Sequence, residues 1–452
     1  MSDMTAPKGK TALLEFKPKP SMPPPVKTTG LIAWLRANLF GSWLDTIMTI
    51  LGLYVLYVIL SGVYHWGVET AVWQAETRRV CLDTSPYGAC WAGVFVWFER
   101  FIYGRYPSEE IWRVNLSWVL FAAWMAPVWF PRVTYKVFIG LSAVLIYPFL
   151  AGYLYLGGER GWFMEVMVAV AIVSFIACWA HVLLCLGFSR NLGDTLIRFS
   201  GFSSRPEAQH KFPVIGSGLL AVIAVMVAIQ AWELPYMSTN KWGGLFLTLV
   251  ISGIGIASAL PIGIFAALGR RSKMPVIRVF TTVYIELFRS VPLITVLFMA
   301  TTMFPLFLPE GMVFNKLGSA IVAVCLFSGA YMAETVRGGL QAIPRGQFEA
   351  SAALGHGYWQ TMGLIVMPQA LKLMIPNIVG SFIGLFKDTT LVAIIGLYDL
   401  LGMIEAVSQD PKWIGLHSEP LMAAALMYFV GCFAMSRYSM RLEKTLGQGD
   451  RR

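Results

Sequence analysis

A chain of 452 residues that is 57% hydrophobic and only 13% charged stands far from the roughly 45–50% and about 25% of soluble domains. So much apolar surface can be kept from water only in a bilayer, which excludes a soluble globular enzyme. The net charge of +10 does not point to nucleic acid, because the basic residues sit in short loops and at the two ends rather than in one interleaved patch.

Residues 1–43 are rich in Lys and Pro, with MPPPV at 22–26, and read as a disordered cytoplasmic tail. The first apolar run starts too late and is too long for a cleavable signal peptide. Apolar runs follow at 44–64, 115–131, 137–156, 162–187, 213–232, 244–268, 285–308, 317–336, 374–396 and 420–437. Most approach the ~20 residues that cross a hydrocarbon core. Ten spans place both termini on one side. With the N-terminus inside, the inside segments hold more than twice as many Lys and Arg as the outside ones. Both termini and the 337–373 segment are therefore expected in the cytoplasm.

The segment 65–114 is then an outside loop, expected to be periplasmic. In it Cys81 and Cys90 flank the polar turn LDTSPYGA. An oxidising compartment makes them a possible disulfide, and their spacing alone leaves free thiols equally open. Cys178, Cys185, Cys325 and Cys432 lie in apolar runs and read as small core residues. No metal site is expected: His181 has no ligand companion three or four residues away, and His356 sits in a glycine turn.

Ionisable residues inside spans are costly and collect at functional or paired positions. Those away from span ends all lie in the second half: Glu286, Arg289, Glu334, Lys387 and Asp388, with Arg337 close by. Glu286 and Arg289 are three apart, share a helix face and are expected to pair, with Pro292 freeing backbone carbonyls just beyond. Glu334 and Arg337 repeat the spacing. Lys387 and Asp388 are adjacent, point in different directions, and are each expected to find a partner on another helix. Small residues at Gly253, Gly255, Ala257 and Ala259, and again at Gly380 and Gly384, suit close helix approach.

Between two spans, 345–368 reads as a helix, a turn at Gly355 and Gly357, a short helix over 358–366, then Pro368 at the start of the next span. Phe348, Ala352 and Ala353 are expected on one side of the first helix. An apolar helix outside the membrane needs a groove to sit in.

Glu349-Ala350-Ser351, then Gly355, then Ile365 to Pro368 resemble the EAA loop of ABC-importer permeases. The resemblance continues in FRSVPL at 288–293, AETVRGG at 333–339 and KDTTL at 387–391, which are similar to the polar-amino-acid uptake branch. Ser351 and Ser290 replace the usual Ala and Gly, both small-for-small. The likeness covers roughly 240–445. It implies an all-α integral membrane protein with a type I ABC-importer permease core of five helices at 240–452. An added membrane module at 44–239 contributes about five more helices, as in general L-amino-acid permease subunits.

The same resemblance assigns Glu349, Ala350, Ser351, Gly355, Ile365 and Pro368 to a cytoplasmic coupling helix that docks on an ATPase. By their place inside the spans, Glu286, Arg289, Glu334, Arg337, Lys387 and Asp388 are either structural ion pairs or the lining of a pathway, the latter above all for Lys387 and Asp388, since an amino acid needs counter-charges for both its ends. The resemblance implies ABC ATPase subunits, a related second permease forming a heterodimer, a periplasmic amino-acid-binding protein and membrane lipid as partners, in a bacterial inner membrane. The chain has no phosphate-loop lysine and no carboxylate cluster for magnesium, so no cofactor of its own is expected and ATP binds to the partner. The alternative is a secondary transporter driven by an ion gradient, for which two groups of five spans suggest inverted repeats.

Overall fold

The computed structural model describes residues 31–130, 133, 136–158, 161–185, 223–227, 234–307, 309 and 315–447, and among these the chain is helical with only isolated β-bridges. Eight stretches are long and apolar enough to cross a membrane: Trp43–Glu69, Ser108–Trp129, Lys136–Leu156, Trp162–Val182, Gly244–Arg270, Lys316–Ala342, Tyr358–Ile395 and Ser418–Leu446. A further one is a helix pair, Pro275–Ser290 and Leu293–Phe307, bent by 107°. The run expected at 285–308 is thus broken. Pro292 has no N–H to donate and drives Val291 into extended backbone, φ −111° and ψ 136°. The run expected at 213–232 lies mostly outside the described residues.

The chain forms two compact units, Met1–Ala71 with Ser85–Ala89, and Val72–Thr84 with Cys90–Arg452. In the first, helix α1 spans Leu31–Asn38, inside the segment expected to be a disordered tail. Helix α2 spans Trp43–Tyr64 and starts at a Ser42 cap, whose hydroxyl oxygen accepts the Asp45 N–H at 3.1 Å. None of its side chains is buried, as suits an apolar helix whose solvent is lipid.

The second unit begins with α3 (Arg78–Thr84), α4 (Trp91–Tyr103), α5 (Ile111–Met125), α6 (Lys136–Leu145), α7 (Tyr147–Leu156) and α8 (Trp162–Cys185). Cys81 and Cys90 are bridged, with Cα atoms 5.8 Å apart. Several buried polar groups among these helices satisfy one another, as suits a setting without water. The Tyr155 hydroxyl accepts from Ser117 Oγ at 2.7 Å, and the Tyr147 hydroxyl donates to the Ser117 carbonyl at 2.9 Å. Arg113 is wholly buried; it donates to Glu110 at 2.7 Å and to the Pro235 carbonyl at 3.0 Å, fastening α5 to the segment that leads into the next helices.

Those are α9 (Gly244–Arg270), α10 (Pro275–Ser290), α11 (Leu293–Phe298), α12 (Lys316–Ala342), α13 (Arg345–Ala353), α14 (Tyr358–Gln360), α15 (Met367–Asp388), α16 (Leu400–Val407) and α17 (Ser418–Gly447). Helices α9 and α12 pack most extensively. A Cβ on Gly263 would lie 2.6 Å from Met332, and one on Gly329 would lie 2.4 Å from Ile262, so glycine is what brings the backbones together. The small-residue pattern is used only in part. Gly255 meets Leu385 and Val324, whereas Gly380 and Gly384 meet no atom within 4 Å of an added Cβ. One hydrophobic cluster joins Trp124, Tyr147 and Tyr155 to Phe246, Ile251, Val324 and Leu385, so α5, α6, α7 and α8 share a core with α9, α12 and α15.

Candidate functional site

Two arrangements bring the candidate residues together. The first is the loop at 345–368. Helix α13 ends at Leu354, and Gly355 follows at φ +77°, a conformation open to glycine and strained for a side chain. The helix faces differ from the expectation. Phe348, half-buried with the Arg271 guanidinium 5.9 Å over its ring, and Ser351, buried, point inward three residues apart. Ala352 and Ala353 are exposed instead. The Ser351 hydroxyl pairs with that of Thr361 at 2.7 Å in a buried contact. The serine that stands where Ala is usual therefore has a polar partner, which residue size alone did not signal.

The second helix of the loop is not a separate short piece. Residues 358 to 388 run as α14, a π-helical turn at Thr361–Val366 and α15 without a break. Pro368 lies at the head of α15, and the wider turn before it makes room for the ring where an α-helical carbonyl would clash. Gln369 donates to Gln347 at 3.2 Å and ties the two arms together. What remains outward is Glu349, Ala350 and a run of large apolar groups: Leu354 is 74% exposed, Trp359 70% and Leu364 71%. Ile365 is half-buried behind them.

The second arrangement is a charge cluster where α9 ends. Arg270, a loop charge by sequence, donates to Glu334 at 2.7 Å and to Glu286 at 2.8 Å. Arg337 meets Glu334 at 2.7 Å, and Arg289 approaches it at 3.8 Å while lying over the Tyr331 ring. The expected Glu334–Arg337 pair is present. The expected Glu286–Arg289 pair is not: each partner reaches across to another helix, because α9 and α12 bring opposite charges closer than one helical turn does. Glu334, 14% exposed, is the centre of the cluster and joins α9, α10 and α12.

Lys387 and Asp388 are exposed and join no ion pair among the described residues, so the expected partners on other helices of this chain are missing. They close α15 just before a 3-10 turn at Thr389–Ile395. Beyond it lies a group the apolar pattern hid. Asp399 is fully buried and caps α16, accepting the Gly402 N–H at 3.0 Å and the Tyr428 hydroxyl at 3.3 Å. Its Asp-Leu-Leu-Gly context is a readable N-cap signal. Among the described residues no group of three metal-ligating side chains forms.

The sequence matches the family profile of binding-protein-dependent transport system inner membrane components over residues 259–447. It is 37% identical over 437 residues to the inner membrane amino-acid ABC transporter permease protein YhdY of Escherichia coli, covering 97% of this chain and 98% of that one. The chain belongs to this permease family. It is also 38% identical to the glutamate/glutamine/aspartate/asparagine transport system permease protein BztC of Rhodobacter capsulatus, over 95% of this chain and 96% of that one. The probable glutamine permease GlnP of Bacillus subtilis matches at 36% over 203 residues, 45% of this chain and 91% of that one. A solved amino acid ABC transporter with histidines is 29% identical, with a TM-score of 0.41 over 45% of this chain and 92% of that one.

The permease is therefore a multi-pass inner-membrane protein and a transporter subunit, not itself catalytic. Membership displaces the ion-gradient carrier. Its first half is shared with YhdY and BztC, whose matches run nearly end to end.

Proposed function

We propose that the permease imports polar amino acids, with energy delivered by separate ATPase subunits through the 345–368 loop. The observation that carries this is the loop itself. A short helix is braced from behind by the Ser351–Thr361 and Gln347–Gln369 contacts, and its outer edge is apolar with no described residue upon it. A surface of that kind fits a groove on a partner. ATP stays on that partner. Closure of two ATPases moves the loops, and the spans rock to open the pathway alternately to each side.

A related second permease completes the channel, and an extracytoplasmic amino-acid-binding protein delivers the substrate; the amino-acid substrates for which YhdY, BztC and GlnP are named support this class. Lys387 and Asp388, exposed and in no ion pair among the described residues, are the pathway candidates facing that second subunit. The Glu334 cluster holds three helix ends together and moves as one body. Both termini lie in the cytoplasm.

The test is Gly355→Val. The space that a Cβ would occupy at Gly355 is open, so the cost of a side chain there is chiefly the φ penalty, about 1 kcal/mol or more. That strain turns α13 away from its groove without unfolding the membrane helices. The variant is expected to insert and express, to lose ATPase copurification, and to lose amino-acid uptake, with Glu349→Lys a milder case. Normal copurification together with normal uptake sinks the assignment.

A further inference from the structure

The segment 65–114 is an outside loop by sequence, yet α4 does not sit above the membrane helices. Its inner face, Ala92, Val94, Trp97 and Phe101, is buried in a cluster with Leu400, Met403 and Trp413. That cluster also takes in Ala423, Ala424, Met427 and Tyr428, which belong to the second and third turns of the span Ser418–Leu446. At its other end the Tyr103 ring stacks on Trp118, centroids 5.8 Å apart, and its hydroxyl donates to Asn115 at 2.6 Å. Both partners lie two to three turns inside the span Ser108–Trp129. Gly104 then bridges to Trp242, two residues before the span Gly244–Arg270. Helix α4 thus lies beside the first turns of three spans.

Its other face is largely apolar and, among the described residues, uncovered. Phe95 is 60% exposed, Val96 63% and Phe98 49%, and Trp73, 49% exposed, stacks on Trp91 and reaches the Phe95 ring at 6.2 Å. Trp73, Phe95 and Val96 line one shallow cleft. Two charged residues share this side of the helix: Glu99, four residues after Phe95, accepts from Ser108 at 2.8 Å, and the Arg100 guanidinium folds over Trp97 at 4.5 Å. An exposed face of tryptophan, phenylalanine and valine that also carries charged side chains able to reach headgroups is the pattern of a helix lying in the headgroup–acyl boundary.

We infer that α4 is an interfacial helix whose Trp73–Phe95–Val96–Phe98 face lies in the phospholipid of the leaflet bordering the 65–114 segment. Phospholipid is the occupant because the face is level with the lipid-facing turns of the adjoining spans. A protein partner is the competing occupant. The inference needs only that the chain spans a membrane, so it stands or falls separately from the amino-acid and ATPase assignments.

The test places a nitroxide at Phe95→Cys or Val96→Cys in the full-length chain. The Cys81–Cys90 bridge is kept and the free cysteines are replaced, and the protein sits in nanodiscs of phosphatidylethanolamine and phosphatidylglycerol. Lys412→Cys, on an exposed polar turn, is the aqueous reference. Both substituted positions are surface positions, so the fold tolerates the label. Relaxation by oxygen is expected to exceed relaxation by a water-soluble nickel chelate several-fold at 95 and 96, with the order reversed at 412. Nickel-dominated relaxation at 95 and 96 overturns the inference in favour of water. Protection from both agents overturns it in favour of a protein partner.

Discussion

At the scale of single residues, Asp399 shows how burial sets chemistry. Burial pushes its carboxyl up to about 6 from an ordinary 3.8, against the opposing pull of the Gly402 and Leu401 N–H groups and the Tyr428 hydroxyl; the Glu405 charge pushes it further up. A carboxyl raised in the folded state holds its proton more tightly there than in the unfolded chain. Its favourable contribution is therefore complete below the unfolded value and is lost as pH rises through about 6. That displacement corresponds to about 3 kcal/mol. Asp399→Asn keeps a good helix cap but binds no proton. Between pH 7 and 5 the unfolding midpoint of the wild-type protein is expected to rise relative to that of Asp399→Asn. Parallel pH profiles for the two proteins would refute the assignment. Glu334 is the companion case of a residue that sequence placed correctly and partnered incompletely. Its spacing to Arg337 was readable, but Arg270 arrives from a helix 64 positions away in the chain.

At the scale of elements, the loop 345–368 and the 72–104 segment illustrate the same limit. The helix–glycine–helix order of the loop followed from Gly355 and Gly357, because few residues tolerate the backbone that Gly355 adopts. The continuity of 358–388 did not follow, because Pro368 normally argues for a break and only the π-helical turn upstream removes the clash. In the other segment, the bridged Cys81 and Cys90 hold the start of α4 against α16 and α17. The Cys90 N–H donates to the buried Glu419 at 2.8 Å, and Arg78 donates to the Ile414 carbonyl at 3.1 Å. The bridge closes a short loop, for which a contribution of about 2–3 kcal/mol is expected. Replacing both cysteines by serine should lower the unfolding midpoint by a few degrees while amino-acid uptake survives better than in Gly355→Val. Uptake lost as completely as in that variant would show that the bridge serves transport directly.

At the scale of the whole molecule, the orientation proposed from charge can be checked by fusion. A reporter that works only in the cytoplasm should be active when joined after Gly357 and silent after Ser85. Activity at Ser85 would overturn the orientation of every span. The all-helical membrane class, eight of the ten spans and the family were legible in composition and in four short motifs, because apolar length and local backbone chemistry are properties of neighbouring residues. Which charges meet, which face of α13 turns inward and how α4 lies beside three spans were decided only in the tertiary structure. Ion pairs and buried faces depend on helices far apart in sequence, and their distances are set when those helices pack, not by the spacing of residues along any one of them.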